Sequence, residues 1–382
     1  MNKFKLFAFI LVVSTIIFAS YSVFFTSTSD ETYYTRAVVV DPKSDIEDFI
    51  ESETDDVQVV NVRILEGLYE GKEIIAKYQL SYNYSGQYNS IKLSQGDEVF
   101  IQLLVDENNF LTEAYVVEIA RDKYLLYLLL AFAFSLVLVG RSKGIRAIIS
   151  LFITITAVIK ILLPAILKGY DPVLVSVVVC ILIICISLLI VSGFNRKTFS
   201  AIIGTTGGVV LAGIIAIIIG SLAKITGLGN DEAQMLIEMP QQINFDFSGL
   251  LFSGIIIGTM GATMDVSVSI VAAIHEIKIN SPRIKSVDLL KAGMNVGKDT
   301  MATMANTLIL AYTGGSLHLM LLLMANDTPF SQIINWDMIS SEILRALSGS
   351  MGVVITIPIT AFAACIVEER GANKNMNNYR RR

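Results

Sequence analysis

The chain has 382 residues, of which 53% are hydrophobic and only 16% are charged, and its mean hydropathy is +0.63. Soluble domains carry roughly 25% charged residues, so this composition excludes an ordinary soluble protein and indicates a membrane protein. The net charge of −5 is unevenly distributed, because residues 26–122 hold 20 acidic and 7 basic side chains while the rest holds 14 acidic and 22 basic ones. We therefore expect an acidic soluble domain and a membrane domain whose flanking segments are basic.

The first apolar run extends from Phe4 to Phe25, and about 20 such residues are enough to span a bilayer. Lys3 and Lys5 precede it, as in a signal peptide. Its apolar core is longer than the roughly 7–15 residues of a signal sequence, and no clean A-x-A cleavage site follows. We expect residues 1–25 to form an uncleaved membrane anchor.

Residues 26–122 contain short segments rich in β-branched and aromatic residues, separated by turn residues such as those of SQGD and ENN. Such segments are typical of strands. Five are predicted: TYYTRAVVV, VQVVNVRIL, KEIIAKYQL, DEVFIQLLV and TEAYVVEIA. Five strands in about 90 residues predict a small OB-like β-barrel. Its acidity argues against nucleic acid as a partner, and the acidic run Ser44–Asp56 is expected to be a solvated helix or linker.

Further apolar runs follow the acidic domain, each long enough to cross a membrane. They are Lys123–Val139, Gly144–Leu163, Pro172–Ser192, Ala201–Leu222, Phe247–Ala273, Thr300–Ala325 and about Leu344–Val367. The fold class predicted is an α-helical polytopic bundle of about eight transmembrane helices, with the β-barrel inserted after the first. Residues 123–370 would form a seven-helix domain and residues 371–382 a basic tail. The cysteines Cys180, Cys185 and Cys365 lie in apolar runs and are expected to act as small packing residues.

The distribution of basic residues tests this count of spans. If the N-terminus is cytoplasmic, the segments facing inward hold 17 lysines and arginines, whereas the short outward loops hold two, Lys168 and Lys224. Cytoplasmic loops carry such an excess of positive charge. We expect both termini to be cytoplasmic, residues 26–122 to lie outside, and the location to be a cell membrane.

The span containing GTMGATMDVSVSIVAAIHE, residues 258–276, carries an aspartate in an apolar run. On a helix, small and polar residues advance there by steps of three or four and share one face. They are Gly254, Gly258, Ala262, Asp265, Ser269, Ala272 and Glu276. Small residues let membrane helices approach closely, and a carboxylate in hydrocarbon is costly. We predict that this stripe points into the bundle, that Gly254, Gly258 and Ala262 serve packing, and that Asp265 lies on a substrate or ion pathway.

The next span supplies hydrogen-bonding partners for such a pathway. Thr303 and Asn306 follow helical spacing, with Thr307 beside them, and an asparagine can both donate and accept hydrogen bonds. Gly314 and Gly315 are expected to break the helix and to allow gating, since a broken helix is tolerated in a membrane where protein or water surrounds it. Hydroxyls between membrane helices also serve as simple packing contacts, and this alternative stays open.

Several other polar residues lie near the ends of the spans. His275 and Glu276 could pass protons or anchor the helix at the interface, and Glu342 and Arg345 are spaced to pair with each other. The segment GMNVGKDT, residues 293–300, lacks the spacing of a phosphate-binding loop. We find no motif of a hydrolase or a zinc enzyme. We expect no enzymatic activity, no cofactor and no metal site.

The blocks GTMGATMDVSVSI and GMNVGKDTMATMANTLILAYTGGSLHLMLLL closely resemble the YibE/F family of bacterial multi-pass membrane proteins. GLYEGKE, VGRSKGIRAIISL and LPAILKGYDP extend the resemblance upstream, and the N-terminal anchor with an outer domain is more similar to the YibE branch. The resemblance implies a membrane location and makes the Asp265 and Asn306 blocks the expected signature positions. It also implies a YibF-like paralogue as a candidate partner. Lys298 stands where the family pattern suggests arginine, which preserves the positive charge.

Two functional hypotheses follow from these patterns. In the first, the protein is a permease or channel-like transporter of an ion or small solute, with Asp265 binding a cation or proton. In the second, it is a non-transporting scaffold or assembly factor whose outer β domain binds an envelope partner. The bilayer is a partner in both, and a homo-oligomer is compatible with either.

Overall fold

A computed structural model describes residues 32–42, 57–79, 91–105, 111–229, 231–238, 245–325 and 329–380. The chain divides into two compact units, Met1–Val139 and Gly140–Arg382. The expected anchor over residues 1–25 and the acidic run Ser44–Asp56 lie outside the described residues.

The first unit contains a closed five-stranded β-barrel. The described strands are β1 (Thr32–Asp41), β2 (Val57–Ile64), β3 (Glu73–Gln79), β4 (Glu98–Val105) and β5 (Leu111–Ile119). They close in the order β1-β2-β3-β5-β4. All neighbouring pairs are antiparallel except β3 and β5, which run parallel with Lys77 opposite Tyr115. The prediction of a small barrel is confirmed, and each strand begins and ends within one residue of its predicted limits.

The barrel has its own hydrophobic core. Alternate residues of the strands point inward, and Val60, Val62, Ile101 and Leu103 are at most 1% exposed. Arg36 on β1 forms salt bridges with Glu98 on β4 and with Asp122, at 3.2 and 2.5 Å, and its guanidinium lies over the Phe100 ring. These contacts tie the barrel wall to the helix that begins at Asp122.

The described helices follow the barrel. They are α1 (Asp122–Gly140), α2 (Ser142–Ala157), α3 (Leu163–Leu167), α4 (Pro172–Ser192), α5 (Arg196–Leu222), α6 (Asp231–Glu238), α7 (Phe247–Asn280), α8 (Ser286–Gly315), α9 (Leu317–Ala325), α10 (Phe330–Ile333) and α11 (Asp337–Arg380). A π-helical turn, Val158–Leu162, joins α2 to α3. Pro164 cannot donate the next helical hydrogen bond, which accounts for the local widening.

In the described part of the chain, six helical segments are long and apolar enough to cross a membrane: α1, α2 to α3 through the π-helical turn, α4, α5, α7 and α11. The bent pair α8 and α9 makes a seventh if it is one span. These correspond to the seven spans predicted after the anchor. Several helices are longer than predicted: α7 continues to Asn280 and α8 begins at Ser286 instead of Thr300. Charged residues end an apolar run without ending the helix that carries it.

The core of the second unit lies between α5, α7 and α11. Gly204 and Gly208 of α5 lie directly against Thr360 and Thr356 of α11, so that a Cβ at either glycine would overlap a threonine hydroxyl. These glycines permit close helix packing, because their missing side chains leave room for β-branched threonines.

Candidate functional site: polar residues on α7 and α8

The small and polar stripe of α7 does share one face, but that face is exposed on this chain. Gly254, Gly258 and Asp265 are exposed, whereas Val266 and Ile270 on the other side are fully buried. The remainder of the stripe is exposed as well, apart from the half-buried Ala262: Ser269, Ala272 and Glu276. The predicted inward orientation of the stripe is therefore wrong for the single chain, because the larger apolar side chains occupy the core.

Sequence reasoning missed a second polar row on α7. Thr259, Thr263 and Ser267 are fully buried, and the Ser267 and Thr360 hydroxyls are 3.1 Å apart across the α7–α11 contact. The threonine hydroxyls also donate to carbonyl groups one turn earlier on their own helix. The signal was present, since these residues recur every four positions among Ile, Val and Met.

Asp265 lies on the exposed face without a hydrogen bond or ion pair to any described residue. An isolated carboxylate at the centre of a spanning helix costs about 2.5–3.5 kcal/mol on insertion scales. A charged carboxylate there is stabilised by water, another polypeptide or an ion, and without them the carboxyl is protonated.

The predicted α8 residues also lie on an exposed face. Thr303, Asn306 and Thr307 are exposed, and the two threonines donate to backbone oxygens of their own helix at 2.9 and 2.8 Å. The opposite side of α8 packs through Gly293 and Gly297. At these glycines an added Cβ would meet the following side chains of α7 and α11: Ile270, Ile274, Ile357 and Ala361.

Contacts between α7 and α8 set the relative depth of the polar residues. An added Cβ at Gly297 of α8 would lie 3.1 Å from Cδ1 of Ile270 of α7, and the short connection makes the two helices antiparallel. Asp265 is five residues before Ile270, so it lies near the level of Thr303, which is six residues after Gly297. Asn306 lies about one helical turn further along α8.

A histidine and a glutamate are in contact near the C-terminal end of α7. His275 Nδ1 is 2.6 Å from Glu368 Oε1 of α11, and 26% and 17% of these side chains are exposed. Glu276 is exposed and accepts from the Asn280 amide at 3.3 Å. Glu368 was not among the predicted site residues, and no spacing rule could find it, because it is 93 positions from His275.

A second charged pair lies near Tyr312. The predicted pairing of Glu342 with Arg345 is confirmed, with 3.0 Å between Oε1 and Nη1. Both residues are close enough to Tyr312 to act on it electrostatically. The polar residues thus occur at three levels: the Glu342–Arg345 pair with Tyr312, then Asp265 with Asn306, then His275 with Glu368.

The predicted helix break at Gly314 and Gly315 is confirmed. Helix α8 ends at Gly315, α9 begins at Leu317, and the two are bent by 60°. A packing role for the exposed glycines is not found in this chain, because an added Cβ at Gly254, Gly314 or Gly315 would have no neighbour within 4 Å. Among the described residues, no group of three His, Cys, Asp or Glu side chains could hold a metal ion.

The long apolar helices and the polar residues spaced along them define an integral, multi-pass membrane protein. The family model of YibE/F-like proteins matches residues 128–370. The chain belongs to this family. No protein with a curated description and no solved structure matches it.

Proposed function

We propose that the protein is a permease or channel-like transporter of an ion or small solute, with its path along the exposed polar face of α7 and α8. The observation that carries the proposal is the exposure of Asp265 and Asn306 on two neighbouring helices, within about one helical turn of each other in depth. A carboxylate and an amide within a membrane are costly unless water or a polar partner reaches them. Intramembrane acids of this kind mark ion and substrate pathways.

Each polar group has a role in this proposal. Asp265 binds the cation or proton, and Asn306, Thr303 and Thr307 orient it through amide and hydroxyl oxygens. The bend between Gly315 and Leu317 allows gating, since broken helices in transporters free backbone groups near the path. Transport of this kind needs neither a covalent step nor a cofactor, and we propose that it is secondary or passive.

The exposed polar face of α7 and α8 has to be shielded from lipid. A second copy of the chain, or a paralogue of the YibF type, would shield the exposed face from lipid. The excess of basic residues in the segments between alternate spans supports cytoplasmic termini and an outer position for residues 26–122 in a cell membrane.

The test is a flux assay with the full chain in proteoliposomes, using a panel of monovalent cations and protons. Asp265→Asn removes the charge at nearly constant volume and should reduce flux at least tenfold. Asp288→Asn is the matched control, because Asp288 is also exposed but lies in the first turn of α8, away from the polar levels. Unchanged flux in a correctly folded Asp265→Asn protein would remove Asp265 from the mechanism.

A scaffold function is the second candidate, and the barrel surface favours it. Ile75 on β3 and Tyr115 and Val117 on β5 are 47%, 36% and 45% exposed, and these two strands pair. Exposed apolar side chains on adjacent strands fit a partner protein. A pull-down with the barrel would identify such a partner, and Ile75→Ser and Val117→Ser should each abolish its binding. Replacement of residues 140–382 by unrelated membrane anchors without loss of function would also favour the scaffold function.

A further inference from the structure

The His275–Glu368 pair has the geometry of a proton exchange site. The imidazole Nδ1 faces a carboxylate oxygen at 2.6 Å, so a proton between them is shared by an acid and a base. Both side chains keep part of their surface exposed, which lets water reach them. The pair lies five residues before the end of α7, about 7 Å from the end of the helix at 1.5 Å per residue.

Other charged residues lie near the His275–Glu368 pair. Lys278, Glu368 and Glu369 all lie within electrostatic range of Cys365, so one lysine and a second carboxylate are nearby. Glu276 is engaged with Asn280.

Helix α8 contributes mainly apolar surface at this level. Its buried residues Leu289 and Gly293 face the core, and Gly293 lies against Ile274 and Ala361. The charged residues of the same turns, Asp288 and Lys291, are exposed. The contacts of Gly204 with Thr360 and of Gly208 with Thr356 also place the first turn of α5, with Arg196 and Lys197, near the level of Glu368. The charged groups at the level of the pair are therefore Arg196, Lys197, Lys278 and Glu369.

We propose that the ion carried by this protein is the proton, and that His275 and Glu368 form the exchange site at the α7 C-terminal end of the path. The inference rests on the proposed transport function and names its substrate. Metal cations such as Ca²⁺ need six to eight oxygen ligands, and among the described residues no group of three acidic, histidine or cysteine side chains is arranged to hold a metal ion. A proton needs only single titratable groups, of which histidine is the one that changes charge near neutral pH.

The exchange step conserves protons and charge. The neutral imidazole with its proton on Nδ1 accepts a second proton at Nε2 from hydronium and becomes imidazolium. It gives the Nδ1 proton to the Glu368 carboxylate, which leaves a neutral imidazole protonated at Nε2 and a neutral carboxylic acid. Glu368 releases this proton to water, and exchange with water restores the first tautomer. Asp265 is ten residues away along α7, about 15 Å, so water along the exposed face carries the proton between them.

The experiment measures proton uptake into proteoliposomes of the full chain with a trapped pH-sensitive dye, under an imposed pH gradient with and without sodium or potassium gradients. Glu368→Gln and His275→Gln should each reduce proton flux at least tenfold, and His275→Gln should also remove a step in the pH profile of the flux. Glu232→Gln is the control with the same charge change, because Glu232 is exposed on α6, between the end of α5 and the start of α7 and so away from the pair, and it should stay within twofold.

The outcomes separate this inference from the proposed function. Flux of sodium or potassium without proton flux would overturn the proton as substrate and leave transport intact. Proton flux unchanged in correctly folded Glu368→Gln and His275→Gln proteins would overturn the exchange site. The absence of any ion flux by the wild-type chain would overturn this inference and restrict the proposed function to the transport of a small solute.

Discussion

Gly208 of α5 lies directly against Thr356 of α11, so closely that a Cβ on the glycine would overlap the threonine hydroxyl. The same Cβ would be 2.9 Å from the carbonyl oxygen of Gly352, which is backbone and cannot move aside cheaply. These glycines thus pack tightly in the interior between α5 and α11, whereas Asp265 of α7 and Asn306 of α8 are exposed.

The variant Gly208→Ala is expected to destabilise the helical unit. Overpacking costs typically 1–3 kcal/mol, which corresponds to a fall in the unfolding midpoint of roughly 2–10 °C for a domain of this size. Thermal unfolding of the solubilised protein measures it. Gly261→Ala is the control, since an added Cβ there has no neighbour within 4 Å and alanine favours a helix. Equal midpoints for the two variants would show that the α5–α11 contact is looser than described.

The exposed stripe of α7 is expected to be in contact with water. In a background with the three native cysteines replaced by alanine, Ser269→Cys should react with a charged, water-soluble thiosulfonate, because the reagent attacks the thiolate. Ser267→Cys should not react, since Ser267 is fully buried only two residues away. Should Ser269→Cys react solely with a lipid-soluble maleimide, the stripe faces acyl chains and no aqueous path follows it.

The barrel could be predicted closely from sequence because its strands alternate apolar and polar residues with a period of two, which a one-residue shift would destroy. The helical spans could be predicted because hydropathy alone identifies them. The face of α7 that is buried in the core could not be predicted from sequence. Spacing groups Asp265 with Gly258, but Val266 and Thr263 form an equally regular row, and only the neighbouring helices decide which row is buried.

The partner of His275 shows the other limit of sequence reasoning. The contact with Glu368 joins residues 93 positions apart, and its existence depends on how α7 and α11 cross. The pairing of Glu342 with Arg345 could be predicted from sequence, because residues three apart on one helix are neighbours whatever the tertiary fold.

The barrel is expected to fold when residues 26–122 are expressed alone, because its buried residues form a core of their own. Circular dichroism should show one cooperative thermal transition. Ile101→Ala should cost about 2–5 kcal/mol, as is usual for a buried isoleucine, since Ile101 is fully buried. Ile75→Ala, the same change at a position 47% exposed, should have little effect. A non-cooperative transition would mean that the barrel depends on the membrane helices.

Glu113 of the barrel is expected to titrate below its ordinary pKa of 4.5. The hydrogen bond from the Tyr115 hydroxyl is the main cause of the lowered pKa, and the Lys77 ammonium, 3.4 Å away, adds to it. Tyr115→Phe keeps the ring on which Lys77 lies and removes the hydroxyl, so the pKa of Glu113 should rise towards 4.5.

Carboxyl-carbon NMR of the isolated barrel measures this pKa, and Tyr34→Phe, a change at another exposed tyrosine, should leave it unaltered. The sign of the stability change follows from linkage. A carboxyl whose folded pKa is depressed stabilises the fold above its unfolded pKa and loses that stabilisation as the pH falls through the folded value. The wild-type barrel should therefore be more stable than Tyr115→Phe at neutral pH, and the difference should shrink below about pH 4.5. A difference that stays constant down to pH 2 would show that the hydroxyl acts by packing and not through the charge of Glu113.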